Sequence, residues 1–339
     1  MKFKPHSMTS AAAYMRVKMI NNVPSPDFEA SIVIPVYNGA DTIPELADRL
    51  SRVCPTLFSD YEIIFIDDGS PDSSWATIQR LAATVPNVVG VRLRRNFGQH
   101  NATLCGIRAA RFPITITMDD DLQHPPEQLP ALLDEFRKGY DVVYAVPKKM
   151  PHAWWRNLGS RMIKLVLSKI MNIPIQDIGA FRIFRTELRD AFADYHSPDV
   201  YIDPLLSWGT TSFSHIAVEE KPRTVGESNY TMKSLIKATL SIMTGYSTIP
   251  LRLASMLGFF FLIFGVIVLI YVLYIAIVVG SIPGWPFLAS LVSLFSGAEL
   301  FSLGLIGEYL ARMYVRTMDR PVYLVAERSG AVKTKGLDE

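Results

Sequence analysis

Cysteine is nearly absent. Cys54 and Cys105 are the only two in 339 residues, too few for a disulfide framework or a thiolate metal site. Both read as ordinary buried residues in a reducing compartment. Neither G-x-G-x-x-G nor G-x-x-x-x-G-K-[ST] occurs, which removes the usual dinucleotide fold and the P-loop. Internal repeats and low-complexity stretches are missing as well. Residues 1–29 carry Lys2, Lys4, Arg16 and Lys18, but their apolar run "AAAYM" is too short for a signal peptide. A disordered leader is expected there. With a formal net charge of only +2, no nucleic-acid partner is expected.

The longest absence is of charge. From Leu253 to Ala298, 46 residues pass without Asp, Glu, Lys, Arg or His. A membrane span needs roughly 20 apolar residues, so this stretch predicts two spans, about 253–279 and 286–310, joined by a turn around Gly280–Pro286. Lys233, Lys237 and Arg252 precede the first span, and Arg312, Arg316 and Arg320 follow the core of the second, with no basic residue in the turn. That distribution predicts both flanks on the cytoplasmic face. Glu299 falls inside the second span, where an ionisable group is costly and by default marks a functional or paired position. Its role is left open.

What remains is an α/β pattern. Between residues 30 and 225 the β-rich runs "SIVIPV", "YEIIFID", "VVGVRL", "ITITM" and "DVVYAV" alternate with helix-period segments. Such alternation predicts a mostly parallel sheet covered by helices. In such sheets ligands bind beyond the carboxyl ends of the strands. The polar stretches "PVYNG", "DDGSPD", "RNFGQHN" and "DDDLQ" all stand there. Two basic amphipathic segments, 154–171 and 231–243, have spacings that suit helices lying on an anionic membrane surface. Packing on its own domain is the alternative for the first.

The run "ITMDDDLQHPPE" places three carboxylates side by side at a strand end, which repulsion alone would disfavour. Alternation of side chains sends Asp119 and Asp121 one way and Asp120 the other. Two converging carboxylates call for a cation, and Gln123 shares their parity if the chain stays extended. An all-oxygen set of this kind suits Mg²⁺ or Mn²⁺ with a bound diphosphate. Asp67, Asp68 and Asn38 are then candidates to read a nucleoside, although Asp-Gly and Asn-Gly are also plain turn formers.

Taken with "QDIGAFRIF", "RTVGESNYTMKSLI" and "SLGLIGEYLARMYVR", these motifs resemble the family 2 glycosyltransferases that load a sugar onto a polyprenyl phosphate, the dolichyl-phosphate mannose synthase type and its undecaprenyl-phosphate relatives. The resemblance spans roughly residues 30–325. It implies a GT-A catalytic domain over 30–225, a juxtamembrane amphipathic helix over 226–250, a transmembrane hairpin over 251–317 and a cytoplasmic tail over 318–339. It further implies a nucleotide-sugar donor, a polyprenyl phosphate acceptor and Mg²⁺ or Mn²⁺. By motif position it assigns metal and diphosphate roles to Asp119, Asp121 and Gln123, and nucleotide contacts to Pro35, Tyr37, Asp67 and Asp68. Arg182, Arg223 and Ser228 would hold the acceptor phosphate, as guanidinium forks suit that group.

Three positions depart from the family. Gly39 stands where Glu often follows "YN", Asp120 where Ala is common, and Ala180 where an acid sometimes precedes "FR". Asp177 is the nearest substitute for that last acid.

The implied reaction is an inverting displacement that makes a polyprenyl-phosphate monosaccharide for lipopolysaccharide or another cell-surface glycan. UDP-glucose is the donor suggested by the commonest relatives. Asp203 either faces the sugar or caps a helix. A homo-oligomer and a functional link to a flippase are further expectations. A processive polysaccharide synthase is disfavoured because Q-x-x-R-W is absent. The intact Asp119/Asp121 pair argues against a catalytically silent scaffold.

Overall fold

A computed structural model describes residues 28–147, 179–219, 244–278 and 284–330. Its first half alternates strand and helix: β1 (Glu29–Val36), α1 (Ile43–Leu57), β2 (Asp60–Asp67), α2 (Ser74–Thr84), β3 (Val88–Leu93), α3 (Gln99–Ala109) and β4 (Ile114–Thr117). Helix α4 (Leu129–Phe136), β5 (Val142–Pro147), β6 (Arg182–Arg185), α5 (Ile202–Gly209) and β7 (Phe213–Val218) follow. The eight strands among the described residues join one sheet in the order β7-β5-β6-β4-β1-β2-β3-β8, β8 being Val325–Ser329. Strands β3, β2, β1 and β4 run parallel to one another, and β5 to β7, whereas β6 is antiparallel to β4 and β5, and β8 to β3.

Both faces of the sheet are buried, as parallel sheets require. Ile32 and Ile34 of β1 pack with Leu46, Leu50 and Phe65 on one side, and Val33 packs with Ile64, Ile66 and Cys105 on the other. Helix α3 lies so close that a Cβ on Gly106 would stand 2.2 Å from Val33 Cγ1. That glycine is required by space. Both cysteines are buried, and burial pushes each thiol up to about 12.

The expected tail is in part a strand. Residues 325–329 pair antiparallel with β3, Val322 is buried, and Asn101 Nδ2 donates to its carbonyl at 2.6 Å. Trp75 Nε1 donates to Glu327 Oε2 at 2.8 Å. The reason is that β3 would otherwise present an open edge. "VAERS" is too short and too charged to show this by its pattern.

The chain divides into two compact units, and residues 321–330 belong with the sheet. In the other unit, α6 (Ile249–Val278) and α7 (Trp285–Thr317) are both long and apolar enough to cross a membrane. Phe261 and Phe295 meet edge to face at 5.8 Å between them. Helix α7 runs past the expected apolar span to Thr317, with the Glu308–Arg312 pair one turn apart on its last part. Glu299 lies exposed on α7.

Candidate functional site

Strand β1 pairs with β4 only as far as Val33, opposite Thr117, but with β2 as far as Val36, opposite Asp67. Val33 directs its carbonyl to β4, where Met118 N donates to it at 3.2 Å. Pro35 has the same parity, so its missing N–H falls where β1 has already outrun β4. Beyond it Tyr37 is 49% exposed, and Asn38 adopts the left-handed conformation at φ 59° that asparagine tolerates. The turn is held from the next strand end: Asn38 N donates to Ser70 Oγ at 3.2 Å and Gly39 N to Ser74 Oγ at 3.0 Å.

Asp67 and Asp68 end β2, and both are buried. Asp68 accepts the backbone N–H groups of Phe97 at 2.7 Å and Gly98 at 2.8 Å, one on each oxygen. It therefore shapes the loop that leads into α3. Asp67 Oδ1 accepts from Ser70 N at 3.2 Å. Its Oδ2 accepts no hydrogen bond among the described residues and has Arg92 Nε at 3.4 Å. Burial pushes both carboxyls up, against the opposing pull of these hydrogen bonds and of Arg92 and Arg95. Both carboxylates turn inward in this structure: Asp68 is committed on both oxygens to the loop before α3, whereas Asp67 keeps one oxygen that no hydrogen bond reaches among the described residues.

Asp119, Asp120 and Asp121 are half-buried at the end of β4, next to the β1 turn. Gln99, at the start of α3, donates from Nε2 to Asp119 Oδ1 at 2.6 Å. Sequence reasoning missed this residue, although the motif "RNFGQHN" contains it. Asp121 Oδ1 accepts from Gln123 N at 3.1 Å. The parity argument for Gln123 is corrected: the chain turns at Leu122, whose φ is 60°, so the extended backbone it required ends before Gln123. Leu122 is buried, and the turn takes it into the core.

Arg182 is also placed differently from the expectation. It lies buried on β6, with Nη1 paired to Asp203, Nε donating to Thr117 Oγ1 at 3.0 Å and the guanidinium over the Tyr144 ring. Tyr144 OH donates to the same Asp203 oxygen at 3.0 Å. A buried guanidinium needs a counter-charge, and Asp203 supplies it. Asp203 thus neither caps α5 nor faces open solvent. Asp177, Arg223 and Ser228, like the amphipathic segments 154–171 and 231–243, lie outside the described residues.

The strand ends of β1, β2 and β4 therefore gather an exposed tyrosine, two buried acids and three half-buried acids at one edge. Among the described residues no three His, Cys, Asp or Glu side chains form a ready metal cage. Two half-buried carboxylates still suit Mg²⁺ or Mn²⁺, which keeps waters and shares a phosphate ligand.

Residues 31–193 match the family described as Glycosyl transferase family 2. The chain is 33% identical over 319 residues to the undecaprenyl-phosphate 4-deoxy-4-formamido-L-arabinose transferase of Yersinia enterocolitica, covering 92% of this chain and 97% of that one. The corresponding transferase of Proteus mirabilis is 32% identical over 310 residues, with 90% and 95% covered. Among solved structures, mannosyl-3-phosphoglycerate synthase from Rubrobacter xylanophilus aligns at a TM-score of 0.45 and 15% identity, over 63% of this chain and 71% of that one. With relatives at a third identity matched over nearly their whole length, and a mixed, mostly parallel GT-A sheet carrying its acids at the strand ends, the chain belongs to glycosyltransferase family 2 and is a glycosyltransferase.

Proposed function

We propose that this enzyme transfers a sugar, with inversion, from a nucleotide-diphosphate donor to a polyprenyl phosphate such as undecaprenyl phosphate at the cytoplasmic membrane face. One observation carries the reading: the likeness to undecaprenyl-phosphate transferases runs through 92% of the chain, sheet and apolar hairpin alike. Its product would be a polyprenyl-phosphate monosaccharide that serves cell-surface glycan or lipopolysaccharide modification.

An acceptor phosphate monoester has a second pKa of about 6 and is largely ionised near neutral pH. It attacks the anomeric carbon while the nucleoside diphosphate leaves from the opposite face. No strong general base is needed, so positioning and electrostatics supply the rate. Mg²⁺ or Mn²⁺, held by Asp119 and Asp121 with the donor diphosphate, would neutralise charge on the leaving group. Gln99 fixes the Asp119 carboxylate for that task. Pro35, Tyr37 and Asn38 form the turn on which the nucleoside rests, with Asp67 and Asp68 shaping its floor. Arg223 and Ser228 are assigned to the acceptor phosphate. Arg182 acts through Asp203 and Thr117 by fixing the floor between β4 and β6.

The relatives are named for 4-deoxy-4-formamido-L-arabinose, and family resemblance suggested UDP-glucose. The test is transfer of radiolabelled sugar from a panel holding both, with GDP-sugars, to undecaprenyl phosphate in detergent, with and without Mg²⁺ or Mn²⁺. Labelling of the lipid by one donor, dependent on metal and lost in Asp121→Asn, is the expected result. Failure of every donor to label lipid, while a folded protein still binds nucleotide, would sink the proposal.

A further inference from the structure

Asp67, Arg92 and Glu327 stand side by side on three neighbouring strands. Arg92 is the cross-strand partner of Asp67 in the pairing of β2 with β3 and of Glu327 in the pairing of β3 with β8, and side chains in register across a sheet project from the same face. From the buried end outward the row reads acid, base, acid. The guanidinium is committed to neither neighbour: Nε lies 3.4 Å from Asp67 Oδ2 and Nη1 3.5 Å from Glu327 Oε1, both longer than a charge-assisted hydrogen bond of about 2.7–2.9 Å. Glu327 is itself fixed, because its other oxygen accepts Trp75 Nε1 at 2.8 Å, and the centre of the Trp75 ring lies 6.0 Å from Arg92 Cζ. Gly90, two residues before Arg92 on the same face of β3, leaves room for that indole, since a Cβ there would stand 3.2 Å from Trp75 Cζ3.

Pairing for stability does not explain the arrangement. Asp67 is completely buried, and its Oδ2 accepts no hydrogen bond among the described residues. A carboxylate in that position is costly until a donor reaches it, yet the donor beside it is drawn the other way by an acid on the last strand. From this geometry we infer that Glu327 is a positioning residue for the donor nucleotide: it offers Arg92 a second seat, so that the guanidinium leaves Asp67 Oδ2 when an N–H of the nucleoside takes its place. Arg92 is then a two-position side chain, and the outer acid sets how readily it yields. This rests on the reading of Asp67 as a nucleotide contact.

The experiment is calorimetric titration of the full-length protein in detergent with UDP and GDP across a range of pH, and separately with inorganic pyrophosphate plus Mn²⁺. The variants are Glu327→Gln, Arg92→Met and the two combined. Glu327→Gln keeps the length and an oxygen for Trp75 but removes the charge of the outer seat, and the side chain is half-exposed, so the fold should survive. Arg92 then stays on Asp67. Binding of the preferred nucleotide should weaken about fivefold or more in Glu327→Gln, with pyrophosphate binding unchanged, and the same change should have no effect in the Arg92→Met background. The pH profile separates positioning from packing. Arg92 and Asp72 are the charges that act on Asp67, with Asp68 next to it in the chain. Binding that needs the ionised Asp67 fails as pH falls through its pKa. That limb should move to lower pH in Glu327→Gln, where Arg92 bears on Asp67 alone, and to higher pH in Arg92→Met, where the counter-charge is gone. The inference is overturned if Glu327→Gln binds nucleotide as wild type does, if pyrophosphate binding falls equally, if the loss persists in the Arg92→Met background, or if the two variants do not move the limb in opposite directions. Should wild type bind neither nucleotide, the proposed function falls with it.

Discussion

At the scale of single residues, Asp67 and Asp68 show how neighbouring, identical side chains come to differ. Asp68 meets backbone donors on both oxygens, so Asp68→Asn turns an NH₂ toward an N–H and should cost about 1–3 kcal/mol of stability. Asp67 leaves one oxygen without a hydrogen bond among the described residues. Asp67→Asn should therefore cost little stability while weakening nucleotide binding, with unfolding midpoints and calorimetry reading the two effects separately. The pH dependence has a definite sign. Both carboxyls are pushed above their ordinary 3.8, so within the window above that value the folded state binds more protons than the unfolded one. Stability contributed by these groups is then present below the window and is lost as pH rises through it. The slope of the midpoint against pH across the window should be less negative in Asp67→Asn than in wild type. The Arg182–Asp203 pair is a second residue-scale case. Arg182→Met should destabilise by about 3–5 kcal/mol because it strands a buried carboxylate. Asp203→Asn in the same chain should recover part of that loss in denaturant unfolding.

At the scale of elements, close approach and edge protection dominate. Helix α3 rests on β1 through Gly106, and Gly106→Ala would drive a methyl into Val33. A cost of about 1–3 kcal/mol is expected from overpacking, visible as a lower unfolding midpoint. Strand β8 covers β3 and ties it to α2 through Glu327 and Trp75. Arg92 also pairs with Glu327 while its Nε faces Asp67, so the last strand is linked to the floor of the site. Deleting residues 321–339 should lower the midpoint and promote association through the bared edge, measurable by light scattering. Had the segment been only a tail, its removal would leave both unchanged. The short β-rich runs set between helix-period segments made β1 to β5 legible, and they are buried on both faces. Strand β6 was hidden because Arg182 interrupts its apolar run, and β8 because pairing rather than composition makes it a strand.

For the whole molecule, connectivity constrains topology. The chain leaves the sheet unit before α6 and rejoins it at Pro321 to form β8, so a hairpin in which both α6 and α7 cross a membrane would return it to the side it left. This agrees with the charge distribution, which carries basic residues on both flanks and none in the turn. The native cysteines are buried with thiols pushed up to about 12, and a thiol in that state is inert to maleimide. A cysteine introduced by Ser281→Cys should therefore react with a membrane-impermeant maleimide in intact spheroplasts, while Gly336→Cys should react only after the membrane is opened. Equal labelling of both before opening would contradict a hairpin.

Sequence alone determined the class of sheet, the apolar hairpin, the family and the strand ends on which the site stands, because periodicity, run length and local motif are properties of neighbouring residues. Tertiary structure decided which acids face each other and which are spent on loops. It turned the chain at Leu122 and so withdrew the support for Gln123, buried Arg182 against Asp203, set Arg92 between Asp67 and Glu327 and recruited the last strand. Each of these is a contact between residues distant in the chain, and its energy depends on burial and partner geometry that no local pattern records.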